Sequence, residues 1–257
     1  MKIAVCIKQV PDVDDIKWTK ENNLDRSQML SKINPYDDWA LDWAIRLKSK
    51  YKGVSVTAVS LGPLQAKEIL SYAIAKGADR GILLSDKAFS GSDTLVTAKV
   101  LASAMINCVK DYDIIITGQM AVDGDTAQVP VSLAQLLSIP DCINVDEILH
   151  ADRNLAMVSQ KLGNEINVLE IKTPCLIAVN AKCPEKVKIK IEDYIRAQKT
   201  NIEVYGLADL GFNKEEVGVI GSPTMVYRAY RPEVKKETIE IMSEYSKTIA
   251  DIIMKAK

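Results

Sequence analysis

Hydrophobic positions in the first two thirds of the chain repeat one alternation: a short β-branched run, a turn, then a longer segment with apolar residues at helical spacing. That alternation predicts βαβ units. The predicted strands, residues 2–8, 54–60, 80–85 and 113–117, are nearly continuous in apolar residues, as strands are when helices cover both faces of their sheet. Between them, residues 37–50 set Ala40, Leu41, Ala44, Ile45 and Leu47 on one side, and residues 64–76 do the same with Leu70, Ala73 and Ile74. Gly77 is placed to stop the second of these helices in a left-handed cap. Asp93 is placed to cap a helix through "TLVTAKVLASAMINCV". Another helix is expected from about Thr126 to Ser138, where Pro130 is tolerable only in the first turn. The fold class that follows is α/β: a doubly wound, mostly parallel sheet with helices on both faces.

Beyond Pro140 the texture turns β-like, with runs at 142–148, 156–160, 167–171 and 175–180 separated by turns such as "ADRN" and "LGNE". These read as the remaining strands of the sheet plus a hairpin. From about Cys183 the chain becomes charged and loses clean periodicity through "CPEKVKIKIEDYIRAQKTNIEVYGLADLG", the pattern of an arm that packs on something else. The last stretch, "KKETIEIMSEYSKTIADIIMKAK", regains a helical stripe of Ile239, Met242, Tyr245 or Ser246, Ile249, Ile252 and Ile253, suited to docking on its own domain or on a partner. Two parts are expected: a nucleotide-binding α/β domain over residues 1–185, and a C-terminal arm and helix for subunit and partner contact over residues 186–257.

Composition narrows the function classes. The 257 residues, 47% of them hydrophobic, suffice for one substantial core with an appendage. Lys and Arg number 33 against 34 Asp and Glu, so no global field attracts nucleic acid or an anionic membrane. "MKIAVCIKQVPD" does not read as a signal peptide, and no apolar run approaches the roughly 20 residues that span a bilayer. Cys6, Cys108, Cys142, Cys175 and Cys183 stand far apart in mostly apolar surroundings, which predicts reduced, buried thiols, a cytoplasmic protein and no metal site.

In a doubly wound sheet ligands bind at the carboxyl ends of the strands, where helix N-termini favour anions. The loop after residues 113–117 is the best candidate. It reads Gly118, Gln119, Met120, Ala121, Val122, Asp123, Gly124, Asp125, Thr126, Ala127, Gln128, Val129, with small residues that let backbone amides reach a phosphate and with Asp125 or Thr126 available to cap the next helix. An ordinary strand-to-helix connection is the competing reading, because "DGD" is also a common turn. After the first strand, Cys6, Ile7, Lys8, Gln9 and Val10 replace any Gly-x-Gly-x-x-Gly, and a P-loop is missing too. His150, the one histidine, reads as a surface or capping residue. The pairs Asp14 with Asp15 and Asp37 with Asp38 read as loop and helix N-terminal charges. On the residues alone, this is a nucleotide-binding α/β protein with no evident catalytic residue.

The order of "VCIKQVPD", "INPYDDWALDWAIRLK", "VSLGPLQAKEIL", "AIAKGADRGILL" and "GQMAVDGDTAQV" resembles the electron-transfer flavoprotein beta family through most of the first 200 residues, and "TPCLIAV" matches the end of its signature. The resemblance implies a small subunit with one nucleotide site, paired with an alpha (large) subunit whose FAD exchanges electrons with dehydrogenases. It implies a site built from Cys6, Asn34, Pro35, Tyr36, Asp37, Leu61 and Gly118 through Val129. Two branches of the family differ in the ligand: AMP as a structural filler, or a second FAD in members that bifurcate electrons from NADH. "DGDTAQV", "FSGSDTLVTAKVLA" and "GSPTMV" resemble the bifurcating branch, which implies FAD, with AMP in a simple carrier or a redox-silent scaffold as the alternative. Room at Gly124 and Ala127, and the hydroxyls of Thr94, Thr97 and Thr126, suit a diphosphate. Gln119 and Met120 stand where that branch has Arg-Gln, and Pro130 and Val131 where it has Gly-Pro. The implied mechanism passes a hydride from NADH to the flavin here, then one electron to a ferredoxin-type acceptor and one to the FAD of the alpha subunit, with no acid or base supplied by the protein. Ile191 aligns with an anchoring Leu in the segment through which the family touches acyl-CoA dehydrogenase partners. An adenine-nucleotide hydrolase would instead show a Ser-Gly-Gly-x-Asp or His-x-Gly-His motif, and neither occurs.

Overall fold

The computed structural model describes residues 1–12, 31–225 and 254. The expected helix over 235–257 and the pair Asp14 and Asp15 lie outside the described residues, Met254 apart. In chain order, β1 (Lys2–Cys6) is followed by an antiparallel ribbon of β2 (Gln9–Pro11) and β3 (Ser31–Ile33), then α1 (Pro35–Lys50), β4 (Ser55–Leu61), α2 (Lys67–Lys76), β5 (Arg80–Leu84), α3 (Thr94–Ala104) and β6 (Ile114–Gly118). The second half runs α4 (Val129–Leu137), β7 (Asp141–Ala151), β8 (Leu155–Leu162), β9 (Glu165–Lys172), β10 (Cys175–Val179), α5 (Ile191–Lys199), β11 (Glu203–Tyr205) and α6 (Gly218–Gly221).

One nine-stranded sheet has the order β11-β5-β4-β1-β6-β10-β7-β8-β9. From β11 to β7 all neighbours are parallel, while β8 and β9 add an antiparallel hairpin at one edge. The continuous apolar runs are explained by burial on both faces. Ile3, Val5, Val56, Ala58, Ile114, Ile116 and Ile177 pack beneath α1 and α2, whereas Ala4, Val59, Ile82, Leu84, Ile115 and Leu176 pack beneath α3 and α4. The doubly wound expectation is met.

Helix ends follow local chemistry. Gly77 caps α2 at a φ of 124°, a conformation that favours glycine, and Asp93 accepts a hydrogen bond from the Val96 N–H to cap α3. Pro130 falls in the first turn of α4. Two expectations need correction. First, α4 begins at Val129 and not at Thr126, because Asp125 and Ala127 hold left-handed φ values of 50° and 53° that cannot continue a helix. Second, the charged segment after Cys183 carries regular structure: α5 packs on α2, and β11 pairs with β5, extending the sheet.

The winding fixes where a ligand can sit. From β1 the chain returns through α1 to β4 on one side, whereas from β6 it passes through α4 to reach β7 on the other. The loops leaving β1 and β6 therefore diverge and open a crevice at the carboxyl ends of two adjacent strands, the switch point of a doubly wound sheet.

Candidate nucleotide site at the switch point

Two side chains at the start of α1 stitch the walls of this crevice together. Asn34 is fully buried; its amide donates to the Met120 carbonyl at 2.8 Å and its carbonyl accepts from the Val122 N–H at 3.1 Å. Asp37, also buried, accepts from the Lys8 N–H at 2.8 Å and from the Gly118 N–H at 3.2 Å, so one carboxyl group spans the ends of β1 and β6. Burial raises its pKa to about 7, against the opposing pull of those N–H groups and of Asn34. Gly118 must be glycine, since a Cβ there would overlap the Asp37 carboxyl and the Tyr36 backbone. Pro35 opens α1, and Tyr36 packs edge-on against Trp39 at 4.8 Å.

The loop after β6 is exposed from Val122 to Thr126 and folds back tightly, with the N–H groups of Gly124 and Asp125 both donating to the Ala121 carbonyl. The Lys8 ammonium reaches the Asp123 carboxylate at 2.7 Å and ties this loop to the end of β1. Neither Asp125 nor Thr126 caps α4: the N-cap position is Gln128, and no side chain among the described residues caps it. The Gln128 side chain instead accepts from the Thr94 hydroxyl at 2.7 Å, joining the N-termini of α3 and α4. Thr97 lies within the first turn of α3 and is partly buried.

The floor of the crevice is buried. Cys6 pairs in register with Thr117, and burial together with the nearby Asp37 pushes its thiol up to about 12, so it is no nucleophile. The Thr117 hydroxyl is buried with no hydrogen-bond partner among the described residues. Leu61 ends the neighbouring strand β4, half-buried. Gln119 donates its backbone N–H to Val179, and its side-chain carbonyl accepts from the Asn144 N–H at 2.6 Å, so it braces β7.

These residues fit a nucleotide phosphate. A Cβ added at Gly124 would meet nothing within 4 Å, the α4 N-terminus lacks a side-chain cap, and the threonine hydroxyl of α3 stands beside it. Of the residues expected at the site, Cys6, Asn34 to Asp37, Leu61, Thr94 and Gly118 to Val129 come to one end of the sheet. Ile191, expected at a partner contact and not in the crevice, begins α5, which packs on α2, and it is 79% exposed. His150 is also elsewhere, held between the Tyr51 hydroxyl at 3.0 Å and the Asp152 carboxylate at 3.1 Å. A hollow of about 520 Å³ bounded by Lys2, Asp113 and Arg153 lies at the amino ends of β1 and β6, where no strand loops diverge. Missed by the sequence reading were Thr117 and the structural use of Asp37, whose partners are distant in sequence.

Comparison with known proteins identifies the family. Residues 22–210 match the family model described as electron transfer flavoprotein domain. The chain is 36% identical over 236 residues to the caffeyl-CoA reductase-Etf complex subunit CarD of Acetobacterium woodii, covering 91% of this chain and 89% of that protein. It is 35% identical to electron transfer flavoprotein subunit beta of Clostridium acetobutylicum, covering 100% of this chain and 98% of that one. Protein FixA of Azotobacter vinelandii is 34% identical, with 95% and 89% covered. The chain belongs to the electron transfer flavoprotein family, as a beta subunit.

Proposed function

We propose that this beta subunit holds FAD in the crevice between β1 and β6 and acts only as a heterodimer with an alpha subunit, oxidising NADH and dividing the electrons between a ferredoxin-type acceptor and the FAD of the alpha subunit. The observation that carries the reading is the pair of helix N-termini joined by Thr94 and Gln128 above a loop opened by Gly124, Asp125 and Ala127. Family membership supports electron transfer as the role.

Within this reading, the backbone amides at the start of α4 and the hydroxyls of Thr97 and Thr126 bind the diphosphate, while the Thr94 hydroxyl, which donates to Gln128, positions the start of α4 beside it. The side chains of Asn34 and Asp37, whose polar atoms are engaged by loop backbone, serve the site by holding its walls in place. FAD supplies the hydride and single-electron chemistry when bound, and the chain supplies orientation and a water-poor floor. Ile191 with Tyr194 and Ile195, all more than half exposed at helical spacing, forms the contact for an acyl-CoA dehydrogenase-type partner. The name of the Acetobacterium woodii relative places that protein in a complex with a caffeyl-CoA reductase, which supports a CoA-thioester oxidoreductase as partner here. The cytoplasm is the matching compartment, given five free, buried cysteines.

One observation favours the alternative, AMP as a structural filler: Gln119 braces Asn144 and supplies no cation to a flavin. Coexpression with the alpha subunit and chromatography of the released nucleotides decides the matter. Two FAD per heterodimer is the expected result; one FAD with one AMP would sink the bifurcating reading and leave a simple carrier.

A further inference from the structure

The loop that opens α3 is fastened to a segment far along the chain. Asp93 divides its carboxylate: one oxygen accepts from the Val96 N–H at 3.0 Å and caps α3, while the other accepts from both the N–H and the hydroxyl of Thr224, at 3.1 and 2.8 Å. Its own N–H donates to the Ser222 hydroxyl at 2.9 Å. One residue earlier, the Ser92 hydroxyl accepts from the Gly218 N–H at 3.1 Å. The fit is close as well as polar, for a Cβ at Gly218 would overlap the Ala88 carbonyl and one at Gly91 would overlap Val219. Because Thr94 follows Asp93 and bonds Gln128, a hydrogen-bonded path runs from Thr224 across the α3 N-terminus to the start of α4.

We propose that Ser222 and Thr224 regulate the nucleotide site through Asp93, a positioning residue, so that nucleotide occupancy and the fastening of residues 217–225 stabilise one another. This rests on the nucleotide reading above. The physical reason is charge. A carboxylate beside a phosphate subsite repels the ligand, and the two Thr224 donors engage the oxygen that the helix cap leaves over. With Thr224 unfastened, that oxygen is free to face the phosphate and the cap loses its anchor. By linkage, a saturating ligand that prefers the fastened form lowers the equilibrium constant for opening of residues 217–225 by the factor by which unfastening weakens binding.

The test uses the heterodimer coexpressed with its alpha subunit, with AMP and FAD as probes. Thr224→Val removes the hydroxyl at an exposed position with little effect on packing, Thr224→Ser retains it, and Ser222→Ala removes the acceptor of the Asp93 N–H. Thr224→Val is expected to weaken nucleotide binding in equilibrium dialysis by about three- to tenfold, with Thr224→Ser near wild type, on the scale of one ordinary net hydrogen bond. Amide hydrogen exchange in residues 217–225 should slow on nucleotide binding in the wild type, and less in Thr224→Val and Ser222→Ala. A wild type that binds nucleotide with no change of exchange there, or a Thr224→Val variant that binds equally, overturns the inference alone. A wild-type heterodimer that binds neither nucleotide overturns the nucleotide reading and the inference with it.

Discussion

Asp37 is a buried carboxyl group with hydrogen-bond donors on two sides, and it joins three parts of the molecule that are remote in sequence. Its residue type and position read, with Asp38, as helix N-terminal charge, while the family resemblance puts it at the nucleotide site. Position in α1 is legible from the apolar spacing, but Lys8 and Gly118 become its partners only once β1 and β6 lie side by side. The consequence for pH is specific. Its folded pKa of about 7 lies above the ordinary value of 3.8, so the folded state holds the proton more tightly and the resulting stabilisation is complete below 3.8. That stabilisation falls as pH rises toward 7 and is absent above it, a change of up to about 4 kcal/mol at about 1.4 kcal/mol per unit. Denaturant midpoints from pH 5 to 8 should therefore decline more steeply through pH 7 in the wild type than in Asp37→Asn. Parallel curves would show that Asp37 does not titrate there. Asp37→Asn should itself be less stable at pH 8 by about 1–3 kcal/mol, because its amide nitrogen faces an N–H that had an acceptor.

At the scale of elements, the central strands β1, β4, β5 and β6 are legible because each is nearly continuous in apolar residues, a property that survives any tertiary arrangement. The start of α4 was not. Asp125 and Ala127 take up left-handed backbone because the loop folds back on Ala121, and nothing in "DGDTAQ" announces this. Ala127→Gly should relieve that strain and raise stability by about 0.5–1 kcal/mol, the left-handed penalty less the added chain entropy of glycine, readable as a shift in thermal midpoint. The contact between α1 and α2 was equally hidden. Lys76, its side chain fully buried, sits 2.7 Å from Asp38 and 2.8 Å from Asp42, with the Tyr72 ring 5.4 Å away. Lys76→Met leaves two carboxylates without their cation, one of them 4% exposed, and should destabilise by about 3–5 kcal/mol in urea titration. Lys2→Met, which breaks a pair whose side chains are 52% and 77% exposed, should leave the urea midpoint unchanged.

For the molecule as a whole, the proposed function divides between a ligand crevice at the carboxyl ends of β1 and β6 and the exposed stripe of α5, the helix that packs on α2. The crevice was legible from the alternation of strands and helices together with one loop. The surface was not legible from periodicity, because α5 buries Ala197 as its sole fully covered residue and its apolar stripe of Ile191, Tyr194 and Ile195 is spaced among charges. A stripe that nothing among the described residues covers suits a partner, and the proposal has two candidates for it: the alpha subunit and a dehydrogenase. Ile191→Asp separates them, since the residue is too exposed for the change to disturb the fold. If α5 meets the dehydrogenase, the variant heterodimer assembles in normal yield with its full nucleotide content, and electron transfer from the partner falls about tenfold or more, the loss expected of a central apolar anchor. If α5 meets the alpha subunit, the heterodimer itself fails to form, and size-exclusion chromatography of the coexpressed pair shows the separated chains before any electron-transfer assay is run.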